Sequence, residues 1–336
     1  RDWSSDVCSS DLCISSRILT LNHGVLPRQG EDSYSILSKP PVSLLCVADG
    51  CGGLGSRRYA ELDGQTGAYA ASRVAAQSVK RWAAACRCLP KTPAEGKEWQ
   101  HSLQETLETD LNAFVQEHRL TEGSSRIVGS MQRLLPTTLC MALYDMGERA
   151  CFLWAGDSRG YVLDEDGLHL YTRDDVKFRM DELERLRCDA PLSLCVSADR
   201  PVRLHLRSIT LPPKGLLICA TDGVYGCVFS PMELEEIFLA SLTGAQDAAT
   251  WQRRLAAAIR RLAGDDATLC CLPFGFEHFD EMKRYFEPRL TALRQEHLNS
   301  LRQHSGDADA LRESWKRYQR GYDRTEEVQH EKDWSL

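Results

Sequence analysis

Short apolar runs, some alternating with polar residues and some continuous, recur along most of the chain. They cover residues 14–20, 33–37, 42–48, 138–144, 150–155, 160–163, 168–171, 203–210, 215–220 and 268–272, and their length and period predict strands. Between them lie helix-like stretches. Residues 58–85 are Ala-rich, a small-residue face suited to close packing on a sheet, and 97–118 carry Trp99, Leu103, Leu107, Leu111 and Phe114 at helical spacing. Arg87 to Glu98, with Pro90 and Pro93, reads as the loop connecting these two. Two more helices are predicted near 231–241 and 246–263. Sheet and helix segments alternating in this way fit an α+β chain with two packed layers.

The pattern changes after Gly275. Phe279, Met282, Phe286, Leu290, Leu293, His297 and Leu301 recur every three or four residues, and after Ser305-Gly306-Asp307 so do Leu311, Trp315, Tyr318 and Tyr322. Two amphipathic helices forming a hairpin over 276–325 are the expected result, followed by a frayed tail over 326–336. This extension either covers the preceding domain, 13–275, or docks a substrate or regulator through exposed Trp315, Tyr318 and Tyr322, residue types enriched in interface hot spots.

Three of the apolar runs end in Asp: Val42 to Ala48 before Asp49-Gly50, Cys151 to Ala155 before Gly156-Asp157-Ser158, and Leu216 to Ala220 before Thr221-Asp222-Gly223. Two further acidic sites are Glu31-Asp32 and Gly264-Asp265-Asp266. Any one Asp-Gly after an apolar run is also a strong hairpin signal. Together, however, they would gather carboxylates at one sheet edge. Two like charges about 4 Å apart repel by roughly 4 kcal/mol at an effective dielectric near 20, against a total domain stability of about 5–15 kcal/mol. Such a group must protonate or bind a cation, and an all-oxygen donor set suits Mg²⁺ or Mn²⁺ rather than zinc.

The order of the motifs adds to this. Arg28-Gln-Gly-Glu31-Asp32-Ser, Val47-Ala-Asp49-Gly50-Cys-Gly52-Gly53, Pro136-Thr137-Thr138-Leu139, Gly156-Asp157-Ser158-Arg159, Thr221-Asp222-Gly223-Val224 and Gly264-Asp265-Asp266-Ala-Thr268 resemble, in that order, the metal-dependent protein phosphatases of the 2C type. The resemblance covers about residues 14–275. It implies a four-layer α-β-β-α sandwich of two antiparallel sheets, and hydrolysis of phosphoserine and phosphothreonine in proteins with two metal ions bridged by a water. It implies that Asp49 bridges both metals, that the Gly50 carbonyl ligates one, and that Asp222 and Asp265 hold the metal nearer the sheet centre. Glu31 would act on the other metal through its water, with Asp32 as a ligand or orienter beside it. Asp157 with Asp222 would take a weaker third metal, and Arg28 would grip the phosphoryl oxygens, as a guanidinium fork can. The partners implied are phosphoproteins, a cognate serine/threonine kinase or its substrates.

Several positions depart from the family pattern. Arg28 is one residue closer to the acidic pair than usual. Cys51 replaces the His with which eukaryotic members protonate the leaving group; a thiol of pKa about 8.5 can in principle donate a proton, but a small buried thiol packing the turn is the favoured reading. Gly226 stands where many members place another acidic ligand, Pro136 and Asp266 replace Gly and Asn, and Pro191 to Pro201 has drifted furthest. These departures motivate the alternative of a pseudophosphatase, a phosphoprotein- or partner-binding module without turnover.

Composition narrows the class. The 336 residues are 43% hydrophobic and 26% charged with a net charge of −7, so there is no basic excess for nucleic-acid binding. No apolar run approaches the roughly 20 residues that span a bilayer, and a cytoplasmic protein is expected. Most of the 14 cysteines sit inside apolar runs without a Cys-x-x-Cys pair and read as reduced core thiols; Cys86-Arg-Cys88 is a weak redox candidate. Residues 2–12 look like translated sequencing adapter, so that 1–12 are expected to be an unstructured artefact.

Overall fold

The computed structural model describes residues 18–26, 29–38, 41–120, 133–178, 180–186, 188, 190–303, 307–326 and 333–336. The expectation for residues 1–12 therefore lies outside the described residues.

The strands are β1 (Leu19–His23), β2 (Ser33–Leu37), β3 (Ser43–Ala48), β4 (Leu139–Tyr144), β5 (Arg149–Ala155), β6 (Arg159–Leu163), β7 (Leu168–Leu170), β8 (His205–Thr210), β9 (Gly215–Ala220), β10 (Ala267–Phe274) and β11 (Trp334–Ser335). They form two sheets, one of five strands in the order β1-β10-β9-β6-β7 and one of six in the order β11-β8-β5-β4-β3-β2. Every pairing between named strands is antiparallel.

The period of two in a strand explains the layering. In β3, Leu45 and Val47 join Ala142, Phe152, Leu217 and Cys270 in a core between the sheets. Leu44, Cys46 and Ala48 point the other way, into a second core. That outer core is closed by the helices α2 (Gly67–Ala85) and α3 (Pro93–Glu117), which follow the short α1 (Gly52–Gly55). The five-stranded sheet is covered by a third core that draws on α6 (Pro231–Thr243), α7 (Ala248–Leu262), α8 (Phe279–Leu293) and α10 (Ala308–Tyr322). Single-turn helices α4 (Glu182–Arg185) and α5 (Asp222–Tyr225) lie in loops, and a π-helical turn over Arg294–Leu298 joins α8 to α9 (Asn299–Gln303). The architecture is the expected α+β sandwich of two antiparallel sheets flanked by helices.

Four expectations need correction. The α2 helix starts at Gly67 rather than 58, because Thr66 caps it by accepting from the Tyr69 N–H at 3.0 Å, while Arg58 and Thr66 pair across a turn. The α3 helix starts inside the expected loop: Thr92 is its N-cap, Pro93 occupies the first turn where its missing N–H costs nothing, and Glu95 accepts from the Lys91 N–H at 2.7 Å. Third, Trp315, Tyr318 and Tyr322 are not exposed; only 4%, 7% and 2% of each is accessible. The apolar stripe of α10 faces the sandwich, and aromatics burying about 150–250 Å² each favour that packing by roughly 4–6 kcal/mol apiece at about 25 cal/mol/Å². Finally, residues 333–336 do not fray. They add β11 to the edge strand β8, with Leu336 exchanging both backbone hydrogen bonds with Leu206 and Asp333 accepting from the Thr210 N–H at 2.6 Å. The Trp334 ring lies over Gly96 of α3, where a Cβ would meet it at 2.1 Å.

Candidate active site

Antiparallel register gathers the acidic motifs at one end of both sheets. Ser33 of β2 pairs with Ala48 of β3, so Asp32 and Asp49 are adjacent. Leu139 pairs with Ala155, which places Gly156-Asp157 beside Thr138. In the other sheet Ala220 pairs with both Leu269 and Arg159, bringing Asp222 and the 265–266 pair to the same edge. A cleft of about 440 Å³ is lined by Glu31, Asp49, Gly50, Asp157, Asp222 and Asp265. It adjoins a second hollow of about 310 Å³ that shares Asp157, Asp222 and Asp265. Asp32 sits beneath, almost fully buried.

Hydroxyls hold this edge together. The Asp49 carbonyl accepts from the Thr138 N–H at 2.7 Å and the Thr137 hydroxyl at 2.8 Å, and Thr138 shares a hydrogen bond of 2.7 Å with Ser158. Thr221 donates to Asp32 Oδ2 at 2.8 Å and accepts from the Thr268 N–H at 2.9 Å. Glu31 accepts from the Thr66 hydroxyl. Its own N–H donates at 2.6 Å to Asp266, which also accepts from the Val25 N–H at 2.8 Å. The glycine at 50 is required by close approach: a Cβ there would stand 2.4 Å from the Ala68 carbonyl oxygen.

Burial sets the electrostatics. Desolvation raises the Asp32 pKa from 3.8 to about 8, with the nearby Asp222 charge adding to it. Desolvation also lifts Asp49 and Asp157 well above the usual carboxylate range, again with Asp222 as the next cause, and raises Glu31. The neighbouring Asp32 charge raises the Asp49 pKa further, so the two carboxyls cannot both ionise cheaply without a counter-charge. Asp32 Oδ1 is buried without a hydrogen bond of normal geometry. Among the described residues no three His, Cys, Asp or Glu side chains stand ready-spaced around one point for an ion. The donor set nonetheless fits a hard cation in kind: oxygen only, desolvated, mutually repelling, with an orphaned buried oxygen.

Of the residues predicted from sequence, Glu31, Asp49, Gly50, Asp157, Asp222 and Asp265 meet in the cleft, Asp32 lies below it, and Arg28 lies outside the described residues. Cys51 is half-buried rather than buried, and its main partner is the Cys195 thiol, a contact that raises the pKa of Cys51 and lowers that of Cys195. Gly226 caps α5 by donating its N–H to the Asp222 carbonyl at 2.6 Å. The sequence does not single out Thr66, Thr221 or Thr268, although Thr221 and Thr268 lie inside the acidic motifs. Arg159, which closes the Gly156-Asp157-Ser158 motif, is fully buried and stacks on Tyr225.

No family model and no curated protein matches the sequence. Solved structures do match. The serine/threonine phosphatase PstP/Ppp of Mycobacterium tuberculosis aligns over 78% of this chain and 99% of its own, at 18% identity and a TM-score of 0.56. Serine/threonine phosphatase Stp1 from Staphylococcus aureus aligns over 80% and 99%, at 15% identity and a TM-score of 0.58. The catalytic domain of PstP in complex with 2 manganese ions aligns over 77% and 98%, at 19% identity and a TM-score of 0.53. This chain shares the fold of these bacterial serine/threonine phosphatases.

Proposed function

We propose that the chain hydrolyses phosphoserine and phosphothreonine in proteins, using Mn²⁺ or Mg²⁺. The observation that carries this reading is the assembly of Glu31, Asp49, Asp157, Asp222 and Asp265 in one cleft, at the strand ends of a fold shared with bacterial serine/threonine phosphatases. Two cations would be held by Glu31, Asp32, Asp49, the Gly50 carbonyl, Asp222 and Asp265, and a weaker third by Asp157 with Asp222. When bound, such a pair would supply activation of a water and charge stabilisation for displacement at phosphorus. The chain's own contribution is orientation. Thr137 and Thr138 fix the Asp49 backbone, Thr66 aims the Glu31 carboxyl, and the bare backbone of Gly50 lets the turn after Asp49 pack directly on the Ala68 carbonyl. Arg28 would bind the phosphoryl oxygens. Phosphoproteins, among them a cognate serine/threonine kinase or its substrates, are the proposed partners. No helix among the described residues is long and apolar enough to cross a membrane.

The test is hydrolysis of a phosphothreonine peptide and an aryl phosphate with Mn²⁺, with Mg²⁺ and with excess chelator. Turnover that needs the metal is expected; full turnover in chelator would overturn the reading. A pseudophosphatase, the alternative favoured by Gly226 in place of an acidic ligand, would bind Mn²⁺ and the phosphopeptide without hydrolysing it.

A further inference from the structure

Arg159 is two residues past Asp157 and carries a charge with no accessible surface. Its guanidinium is forked onto Asp174, with Nε at 3.0 Å and NH2 at 2.9 Å, and reaches Glu182 through NH1 at 2.5 Å and NH2 at 3.2 Å. Its Cζ lies 3.8 Å from the centre of the Tyr225 ring, close enough for a desolvated cation–π contact. Tyr225 ends α5, the helical turn that Asp222 opens, and its hydroxyl donates to the Asp157 carbonyl at 2.9 Å. One buried cation is thus wedged behind two of the cleft carboxylates.

Of its counter-ions, Asp174 lines the hollow beside the cleft, and Glu182 leads away from it. Glu182 opens α4, and Asp181 is the N-cap, accepting from the Leu183 N–H at 3.0 Å with one oxygen. The other oxygen accepts from the Trp315 indole N–H of α10 at 3.1 Å. The Tyr322 hydroxyl of the same helix approaches Glu182 Oε1 at 3.5 Å. A chain of contacts, polar except for the Arg159–Tyr225 stacking, therefore runs from α10 through α4 and Arg159 to Tyr225 and the Asp157 backbone carbonyl, on the helical turn that Asp222 opens.

Resting on the proposed metal-dependent reading of the cleft, we infer that Trp315 and Tyr322 are positioning residues: through Asp181 and Glu182 they hold Arg159 where it sets the spacing of the Asp157 and Asp222 carboxylates for a divalent cation. A polar neighbour that orients ligands changes metal affinity by about 10–100-fold when lost, whereas apolar coverage by α10 would change only stability.

The molecule offers an internal control. Tyr318, on the same helix, donates instead to Glu235 of α6, which is paired with Arg289 of α8 at 2.6 Å and belongs to a separate buried pair. Mn²⁺ affinity measured by titration calorimetry on the full chain, together with melting temperature, should separate the cases. Tyr322→Phe removes only a hydroxyl, whereas Trp315→Phe removes the indole N–H together with one ring of a buried side chain, a packing loss that the melting temperature reports; the double variant should weaken Mn²⁺ binding about tenfold. Glu182→Gln should do the same. Tyr318→Phe should lower the melting temperature while leaving Mn²⁺ affinity as in the wild type. Unchanged affinity in the double variant, or equal weakening in Tyr318→Phe, would overturn the inference and leave α10 as coverage. Wild-type protein that binds Mn²⁺ but hydrolyses no phosphopeptide would sink the phosphatase reading alone, since the line is read from binding; wild-type protein that binds no Mn²⁺ would sink both.

Discussion

Two groups of buried carboxylates lie side by side in this molecule and are treated oppositely. Asp174 and Glu182 surround Arg159, and Asp174 also takes Arg185 at 2.5 Å. In the cleft, Asp32 and Asp49 face each other and are steadied by threonine hydroxyls and backbone. The first group is closed, because its charge is balanced by the chain itself. The second is open: burial and mutual repulsion push its carboxyls toward the protonated form. Balanced charge is structural, and unbalanced buried charge waits for a cation or a proton.

The sharpest way to break this contrast is to neutralise one member of each group. Asp49→Asn or Asp222→Asn should lower metal-dependent hydrolysis by two or more orders of magnitude, since several kcal/mol of charge stabilisation is at stake and about 1.4 kcal/mol corresponds to tenfold. In chelator the same variants should melt no lower than wild type, because a desolvated charge has been removed; a clear fall in melting temperature would show that these carboxylates are structural after all. Arg159→Met should do the reverse, costing about 3–5 kcal/mol by stranding Glu182 and leaving Asp174 with Arg185 alone. Chemical denaturation that finds a loss under about 1 kcal/mol would mean the group is not balanced by Arg159.

A subtler comparison uses pH. The Asp32 pKa is raised from 3.8 to about 8 in the folded chain, so its contribution to stability is full below its unfolded value and disappears as pH rises toward 8. Chelated protein should therefore become less stable across that window, and Mn²⁺ should remove the slope by displacing the protons. A melting temperature in chelator that does not vary with pH would count against the open group. The smallest effect concerns a carboxylate balanced by a titratable cation. His169, nearly buried, has Nδ1 2.6 Å from the Gly321 carbonyl and Nε2 2.9 Å from Asp164. Burial opposes its protonation, but those acceptors outweigh burial and raise its pKa. Stability from this contact is present at acid pH and lost as pH climbs through the folded value, so His169→Phe should flatten the alkaline side of the stability profile. An unchanged profile would show that His169 stays neutral.

The open group was legible in the sequence and the balanced one was not. An apolar run ending in Asp-Gly or Gly-Asp marks a strand end, and antiparallel register then places those ends together, so Asp49, Asp157 and Asp222 could be read as neighbours. Asp174 lies in irregular chain and Glu182 in a single-turn helix, both too short of any period to show that they meet Arg159. Pro93 was read as a breaker because a first-turn proline and a loop proline look alike until the Thr92 cap is seen. The α10 stripe was visible, but periodicity identifies a face without naming what covers it. The edge strand at Trp334 rests on one ring meeting Gly96 across more than two hundred residues, a match that composition does not advertise.

The pairing of β1 with β10 has a kinetic side. His23 meets Ala267, and the Asp266 clamp on Glu31 depends on the same late segment. At about 5–20 residues per second of synthesis, β1 waits roughly 12–50 s on the ribosome before its partner is made. The six-stranded sheet, apart from its β11 edge, is complete by Thr210 and can condense first. Thr66 can hold Glu31 beside Asp49 early, but the Asp266 clamp and Asp265 arrive last, so the nascent chain is spared a fully assembled acidic cleft until β10 is made.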